Sequence, residues 1–221
     1  MKNALIVGAS GGIGGALAAD LTARGVTVTG LSRRANGLDL TDEAAIERVL
    51  GALPGPYDLV FVATGALDLS GNGPEKSLRA VAPAALAAQF ALNATGPLLV
   101  LKHALRLMPR DRPVRFAALS ARVGSIGDNG LGGWYSYRAA KAALNQLIHT
   151  AAIEVRRSHP QSVVVTLHPG TVDTALTKGH RGTHPAVPPA EAAGHLLAVL
   201  QALTPEDSGG FFDWQGQAVP W

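Results

Sequence analysis

The chain has 221 residues, 47% of them hydrophobic, and a formal net charge of +3. A chain of this length and composition can bury a substantial core, and we expect residues 1–221 to form one domain. It contains no cysteine, which excludes disulfides, thiolate metal sites and a cysteine nucleophile. The basic residues are scattered, so the small positive excess does not predict a nucleic-acid partner.

No uninterrupted apolar run approaches the ~20 residues that cross a bilayer. The apolar stretch over 3–7 is too short for the core of a signal peptide, and glycines follow it at once. These features favour a cytoplasmic protein with no membrane partner.

Taken in chain order, apolar strand patterns alternate with helical patterns. Strands are predicted over 3–7, 26–31, 58–63, 114–119, 162–167 and 210–214. Helices are predicted over 16–25, 42–50, 83–108, 135–157 and 189–203. We expect Thr41 to cap the second helix and a kink near Gly96-Pro97 in the third. The alternation predicts an α/β fold with a doubly wound parallel sheet in three α/β/α layers.

A glycine-rich turn joins the first predicted strand to the first predicted helix. Glycine permits a tight turn and close approach of a pyrophosphate, and the N–H groups that open a helix attract phosphate oxygens. No Lys-Ser/Thr pair ends the turn, which disfavours a nucleoside triphosphatase. The residues assigned to a dinucleotide here are Gly8, Ser10, Gly11, Gly12, Ile13 and Gly14.

The second predicted strand leads into Ser32, Arg33 and Arg34. An NAD-selective site places a carboxylate at this position to accept from the ribose 2′-hydroxyl, and none is present. Arg33 has the chemistry to pair bidentately with a 2′-phosphate, whereas the alternative is a solvated loop arginine. We therefore predict that NADP(H) is preferred over NAD(H), with Ser32 and Arg33 at the phosphate.

Tyr137 and Lys141 lie four residues apart near the start of a predicted helix and so share one face. An ammonium beside a phenol stabilises phenolate and is expected to lower the pKa of the tyrosine. Tyr137 would then act as a general acid or base toward a carbonyl or an alcohol. A chance pair of solvated residues is the alternative, but the pair follows the glycine turn and a strand that ends at Ser120.

Together these motifs resemble the short-chain dehydrogenase/reductase family over nearly the whole chain. Its C-factor-like branch is similar in three stretches: Leu119-Ser120-Ala121-Arg122-Val123-Gly124-Ser125-Ile126, Gly133-Trp134-Tyr135-Ser136-Tyr137-Arg138, and Phe211-Phe212-Asp213-Trp214-Gln215-Gly216. The resemblance implies a Rossmann-type fold and oxidoreductase activity on a small carbonyl or alcohol substrate. It also implies that Lys141 binds ribose and that Asn93 supports a proton relay. Further cofactor contacts are implied at Asp39, Leu40, Ala63, Thr64, Gly65, Pro169, Gly170, Val172 and Thr174.

The sequence departs from the family at the serine that polarises the substrate carbonyl. The usual Ser-Ser pair is Ser120-Ala121 here, so the acting position is alanine unless Ser120 or Ser125 supplies the hydroxyl. Loss of one oxyanion donor costs about 10²–10³ in rate. An alternative function is therefore a dinucleotide-binding regulator with weak or no catalysis.

Two further expectations concern the segment after the second predicted strand and the loop before the helix over 135–157. Few residues separate Arg34 from Asp39, so a bare loop is expected instead of the usual second crossover helix. Ile126, Leu131 and Trp134 are candidates for a substrate pocket or for the core.

The loop over 174–188 is a lid or a plain surface segment. His168, His180 and His184 match no zinc spacing, so no metal site is predicted. The resemblance allows a homodimer or homotetramer through helices near 90–108 and 136–157.

Overall fold

The computed structural model describes residues 1–69, 71, 73–177 and 185–221. Its strands form one six-stranded parallel sheet with the order β2-β1-β3-β4-β5-β6. The strands are β1 Asn3–Val7, β2 Thr27–Leu31, β3 Leu59–Val62, β4 Val114–Leu119, β5 Ser162–His168 and β6 Phe211–Asp213. Each agrees with its predicted range to within a residue at either end, and the predicted doubly wound fold is confirmed.

Seven α-helices are present in the described part of the chain. They are α1 Gly12–Ala23, α2 Arg33–Asn36, α3 Glu43–Gly51, α4 Pro83–Phe90, α5 Gly96–Ala104, α6 Tyr135–Ser158 and α7 Pro189–Ala202. Helices α1 and α7 pack together, as do α3 with α5 and α4 with α6.

The sheet separates two hydrophobic cores, because alternate side chains of a strand point to opposite faces. In β1, Leu5 and Val7 join the core under α3, α5 and α6, whereas Ala4 and Ile6 join the core under α1 and α7. All four of these side chains are buried, as expected for a parallel sheet covered on both faces. The fold therefore has the predicted three layers.

The strand order reverses on the two sides of β1, since β2 lies on one side and β3 on the other. In doubly wound sheets, ligands bind at such a switch point, beyond the carboxyl ends of the strands. The predicted site residues follow the ends of β1, β3, β4 and β5, so they meet at this edge.

Two predictions about the segment between β2 and β3 were wrong. The N-cap of α3 is Asp42, whose carboxylate accepts from the Ala44 N–H at 3.0 Å, while the Thr41 hydroxyl donates to Asp39 instead. The connection after Arg34 is not a bare loop. It contains the single helical turn α2, with Ser32 as its N-cap and Gly37, at φ 66°, as its C-cap.

The predicted long helix over 83–108 is interrupted next to Gly96-Pro97, where a kink was expected. A π-helical segment, Ala91–Thr95, lies between α4 and α5, just before Gly96-Pro97. Pro97 has no N–H to donate to the carbonyl four residues earlier, so the regular ladder cannot continue through this point. The wider turn places Asn93 in the interior.

One helical stretch bears on the expectation that the protein has no membrane partner. The helical stretch Pro83–Leu107 is long and apolar enough to cross a bilayer by length and composition. Its mean hydropathy is 1.5, although polar residues interrupt its apolar runs. Val100, Leu101 and Ala104 pack in the core under the sheet, so one face of this stretch is buried inside the protein.

Candidate functional site

A cavity of about 950 Å³ opens at the carboxyl edge of the sheet. Its walls come from the segments that follow β1, β3, β4 and β5, from the loop before α6, and from α6 itself. This volume is at the upper end of the range for small-molecule and cofactor sites, about 300–1,000 Å³. The predicted site residues that line it are Gly11, Gly12, Ile13, Ala63, Thr64, Gly65, Ser120, Tyr137, Lys141, Pro169, Gly170, Val172 and Thr174.

The glycine turn presents an uncapped helix end to the cavity. Helix α1 begins at Gly12, and no side chain among the described residues bonds to its N-terminal N–H groups. Gly8 and Gly14 lie behind this surface, against each other. A Cβ on Gly14 would lie 2.2 Å from the Gly8 carbonyl oxygen, so this close approach requires glycine. Ser10 is exposed on the turn and is not among the lining residues.

Tyr137 and Lys141 occupy the same wall of the cavity, one turn apart on α6. The Lys141 Nζ lies 5.8 Å from the centre of the Tyr137 ring and donates to the Leu119 carbonyl at 2.8 Å. A Cβ on Gly65 would lie 3.5 Å from the same Nζ, so the segment after β3 passes close to the pair. The pair is buried, with exposed fractions of 7% for Tyr137 and 2% for Lys141.

Burial shifts the pKa values of both groups toward their neutral forms. It raises the pKa of the Tyr137 phenol well above its ordinary value and lowers the pKa of Lys141 to about 7. The expectation that the lysine lowers the tyrosine pKa does not describe this pocket. Removal of both groups from water outweighs their mutual attraction, because a charged form loses more solvation than a neutral one.

Asn93 is fully buried and holds the segment that follows β3. Its Nδ2 donates to the Ala66 carbonyl at 2.9 Å, and its Oδ1 accepts from the Ala66 N–H at 3.2 Å. Gln89, one helical turn earlier, bonds to Asn93 and donates to the Leu67 carbonyl at 3.0 Å. Asn93 itself does not line the cavity; it stands behind Gly65, where a Cβ would lie 2.8 Å from its Oδ1.

The structure separates the three candidates for the serine position. Ser120 is buried and its hydroxyl donates to Asn145 Oδ1 at 2.7 Å, on the α6 stripe that also carries Tyr137 and Lys141. Ala121 lines the cavity with a methyl group. Ser125 is buried, accepts from the Asp128 N–H, and is not a lining residue. The catalytic assignment of Ser120 stays a prediction, and its hydroxyl already has a protein acceptor.

The residues after β2 lie outside the walls of this cavity. Ser32 caps α2 by accepting from the Ala35 N–H at 3.1 Å, and Arg33 is exposed in the first turn of that helix. Asp39 accepts from the Thr41 N–H and hydroxyl, and these bonds lower the pKa of its carboxyl. Leu40 is buried beneath Gly96.

Several residues of the site are absent from the sequence-based prediction. Arg122 forms an ion pair with Asp128 at 2.6 Å beside the cavity. Arg138 donates to the carbonyls of Gly133 and Val123, and so ties together the two ends of the loop before α6. Of the three residues that the sequence did suggest for a substrate pocket, Leu131 and Trp134 line the cavity, whereas Ile126 does not. The position of Gln89, four residues before Asn93, was a helical signal that could have identified it.

Part of the loop over 174–188 lies outside the described residues, and so do His180 and His184. The described part, up to Thr177, contributes Thr174, Leu176 and Thr177 to the cavity wall. His168 also lines it, and burial lowers its pKa to about 4.

The residues present fit a nicotinamide dinucleotide. The uncapped start of α1 offers N–H donors of the kind that bind pyrophosphate. Thr64 lines the cavity, and its buried Oγ1 has no partner in the described part of the chain. A buried hydroxyl is costly unless it is hydrogen-bonded, so a ligand group is expected to satisfy it.

The cavity lies at the switch point of a doubly wound sheet and has a buried tyrosine and lysine in its wall. These features define a dinucleotide-binding α/β protein. Comparison with known proteins then specifies the family. The family model of short chain dehydrogenases matches residues 2–184. The chain belongs to the short-chain dehydrogenase/reductase family, as the sequence motifs predicted, and is an oxidoreductase.

Individual relatives agree with this assignment. C-signal of Myxococcus xanthus is 37% identical over 168 residues, which cover 76% of this chain and 94% of that protein. A 1-hydroxy-2-glutathionyl-2-methyl-3-butene dehydrogenase of Rhodococcus sp. (strain AD45) is 33% identical over 208 residues, 92% of this chain and 84% of that one. A Burkholderia multivorans short-chain dehydrogenase/reductase, solved with bound NADP, has a TM-score of 0.81 and 25% identity. That comparison covers 100% of this chain and 99% of the other.

Proposed function

We propose that the protein is an NADP(H)-dependent oxidoreductase that reduces a carbonyl or oxidises an alcohol, with Tyr137 as general acid and base. One observation carries the proposal. The buried Tyr137–Lys141 pair and the uncapped start of α1 face the same cavity. A proton donor and a candidate pyrophosphate site therefore line one cavity of cofactor size.

The roles of the residues follow from their surroundings. When bound, the nicotinamide supplies the hydride that adds to the carbonyl carbon. Tyr137 donates its phenolic proton to the carbonyl oxygen, which yields the alcohol, and regains a proton from solvent. Lys141, held by the Leu119 carbonyl, would contact the cofactor ribose. Asn93 fixes Ala66 and so keeps the segment after β3 in position beside the pair.

The preference for NADP(H) rests on Arg33. It is exposed at the start of α2, beyond the carboxyl end of the edge strand β2. Among the described residues only the Asp39 carboxylate is near enough to attract its guanidinium, and no hydrogen bond joins the two, so its donors remain available to a phosphate. The relative solved with bound NADP supports the same choice.

Replacement of Tyr137 by phenylalanine tests the proposal. Tyr137→Phe removes the proton donor and keeps the ring, so kcat for reduction of a suitable aldehyde or ketone should fall about 10²–10⁴-fold. The measurement is the loss of NADPH absorbance with a panel of carbonyl substrates. Tyr135→Phe, two residues away and partly exposed, is the matched control and should retain activity. Equal rates for the wild type and Tyr137→Phe would refute the proposed role.

The rival function, a cofactor-binding regulator with little catalysis, is favoured by one observation. Ala121 lines the cavity where the family places a serine hydroxyl, and Ser120 is bonded to Asn145. If the missing donor limits a real reaction, Ala121→Ser should raise kcat, by up to about 10²–10³-fold. NADPH binding without turnover, in both the wild type and Ala121→Ser across the panel, would favour the regulator.

The cytoplasmic location and the homodimer or homotetramer stay predictions. Gel filtration with light scattering tests the oligomeric state. Fractionation of the native host cells tests the location.

A further inference from the structure

Helix α6, which carries Tyr137, begins without a local cap. The residue before it is Trp134, which has φ 52° and ψ 41° and makes no side-chain capping bond. Gly132 and Gly133 precede it, also with positive φ. A left-handed conformation strains a bulky residue, and such strain persists only where surrounding contacts impose it.

Glu75 provides the missing cap from a distant part of the chain. Its carboxylate accepts from the Ser136 N–H at 3.3 Å and from the Ser136 hydroxyl in a short bond. Its backbone carbonyl accepts from the Trp134 N–H at 2.5 Å. Glu75 and Ser136 are 61 residues apart in sequence. One residue therefore satisfies donors at the helix end and also holds the strained Trp134.

The segment that contains Glu75 is itself anchored near the site. Its start is fixed by Asn93 and Gln89, which bond to Ala66 and Leu67. Glu75 does not line the cavity, so it has no direct contact with the reacting groups. It is joined to them through Ser136, the residue before Tyr137, and through Trp134, whose ring lies 6.4 Å from the Tyr137 ring.

We propose that Glu75 is a positioning residue, which fixes the first turn of α6 and thereby the phenol of Tyr137. A negative charge at a helix N-terminus is favourable for the helix dipole, but a nearby acidic residue would serve that purpose equally well. The contact to Trp134 adds a geometric constraint, because it sets the angle at which the chain enters α6. The inference rests on the proposed role of Tyr137 in catalysis.

The test compares Glu75→Ala and Glu75→Gln with a matched loss of a helix cap elsewhere. Asp42→Ala removes the cap of α3 and is expected to lower stability without changing kcat per folded molecule. Glu75→Ala should lower kcat about 10–100-fold, since a displacement of about 1 Å at the reacting groups has this scale of effect. Its Kd for NADPH, measured by fluorescence titration, should stay close to wild type. Glu75→Gln keeps one acceptor and should show a smaller loss.

Hydrogen exchange gives a readout that does not need turnover, at Ser136, whose N–H donates to Glu75, and at Arg138, whose N–H donates to the Trp134 carbonyl. We expect faster exchange at these two amides in Glu75→Ala and unchanged exchange there in Asp42→Ala. If the wild type turns over no substrate, the proposed function fails, while the exchange result still tests the positioning of the helix. Wild-type kcat and wild-type exchange in folded Glu75→Ala would overturn the inference, even if that variant melts at a lower temperature.

Discussion

Lys141 is an ionisable side chain that the fold buries almost completely, with one carbonyl acceptor at 2.8 Å. Its pKa of about 7 in the folded protein lies below the ordinary value, because burial disfavours the ammonium. At a pH between about 7 and the ordinary lysine pKa of 10.5, Lys141 is protonated in the unfolded chain and neutral in the folded chain. Stability from this group therefore rises with pH above about 7, and the full penalty is present below it.

Lys141→Met should remove this dependence on pH. Relative to the variant, the free energy of unfolding of the wild type should rise by up to about 2–3 kcal/mol from pH 7 to pH 9. Urea denaturation at both pH values measures the difference. The exposed Lys102, which pairs with Glu43, supplies the control Lys102→Met, whose pH dependence should follow the wild type. A parallel pH dependence in Lys141→Met would show that the lysine is charged in the fold.

The identity of the Tyr137–Lys141 pair follows from sequence spacing, but its electrostatics do not. A separation of four residues places both groups on one face of a helix. The spacing does not show how deeply the two side chains are buried, and burial decides the direction of both pKa shifts. The hydrogen bond between Ser120 and Asn145 could not be predicted from the sequence either, because it depends on how β4 packs against α6.

At the scale of elements, the strands were predictable because buried parallel strands are short apolar runs bounded by polar or turn residues. Val114–Leu119 agrees with its prediction at both ends. The π segment Ala91–Thr95 was not predicted. The proline that interrupts the helix was visible, yet its effect falls on the preceding turn, where the missing N–H leaves a carbonyl without its usual partner.

The cap of α6 shows a second limit of local patterns. Sequence signals for a helix start concern residues next to it, and Gly132, Gly133 and Trp134 offer none. The cap comes from Glu75 in another loop. Only the tertiary arrangement of α4, the π segment and α6 brings the two regions together.

At the scale of the whole molecule, binding of the cofactor should appear as a change in thermal stability. A ligand at about 100 times its Kd stabilises the folded state by about 2.7 kcal/mol. For a domain of this size that corresponds to an increase in Tm of about 5–10 °C. We expect NADPH to reach this shift and NADH, at the same concentration, to give a smaller one.

Variants at α2 locate the origin of that difference. Arg33→Gln should reduce the NADPH shift to the level seen with NADH, whereas the neighbouring Arg34→Gln should leave it nearly unchanged. Differential scanning fluorimetry of the three proteins with both nucleotides is sufficient. If NADH stabilises the wild type as much as NADPH does, the preference for the phosphorylated cofactor is refuted.

The depth at which Tyr137 lies has a consequence for the direction of the reaction. A phenol that stays protonated at neutral pH is ready to deliver hydrogen to an incoming ketone or aldehyde. Oxidation of an alcohol needs a general base instead, so the Tyr137 phenol must first lose its own proton. Near pH 7 we therefore expect a higher kcat for carbonyl reduction than for alcohol oxidation, and kcat for oxidation should rise in more alkaline solution.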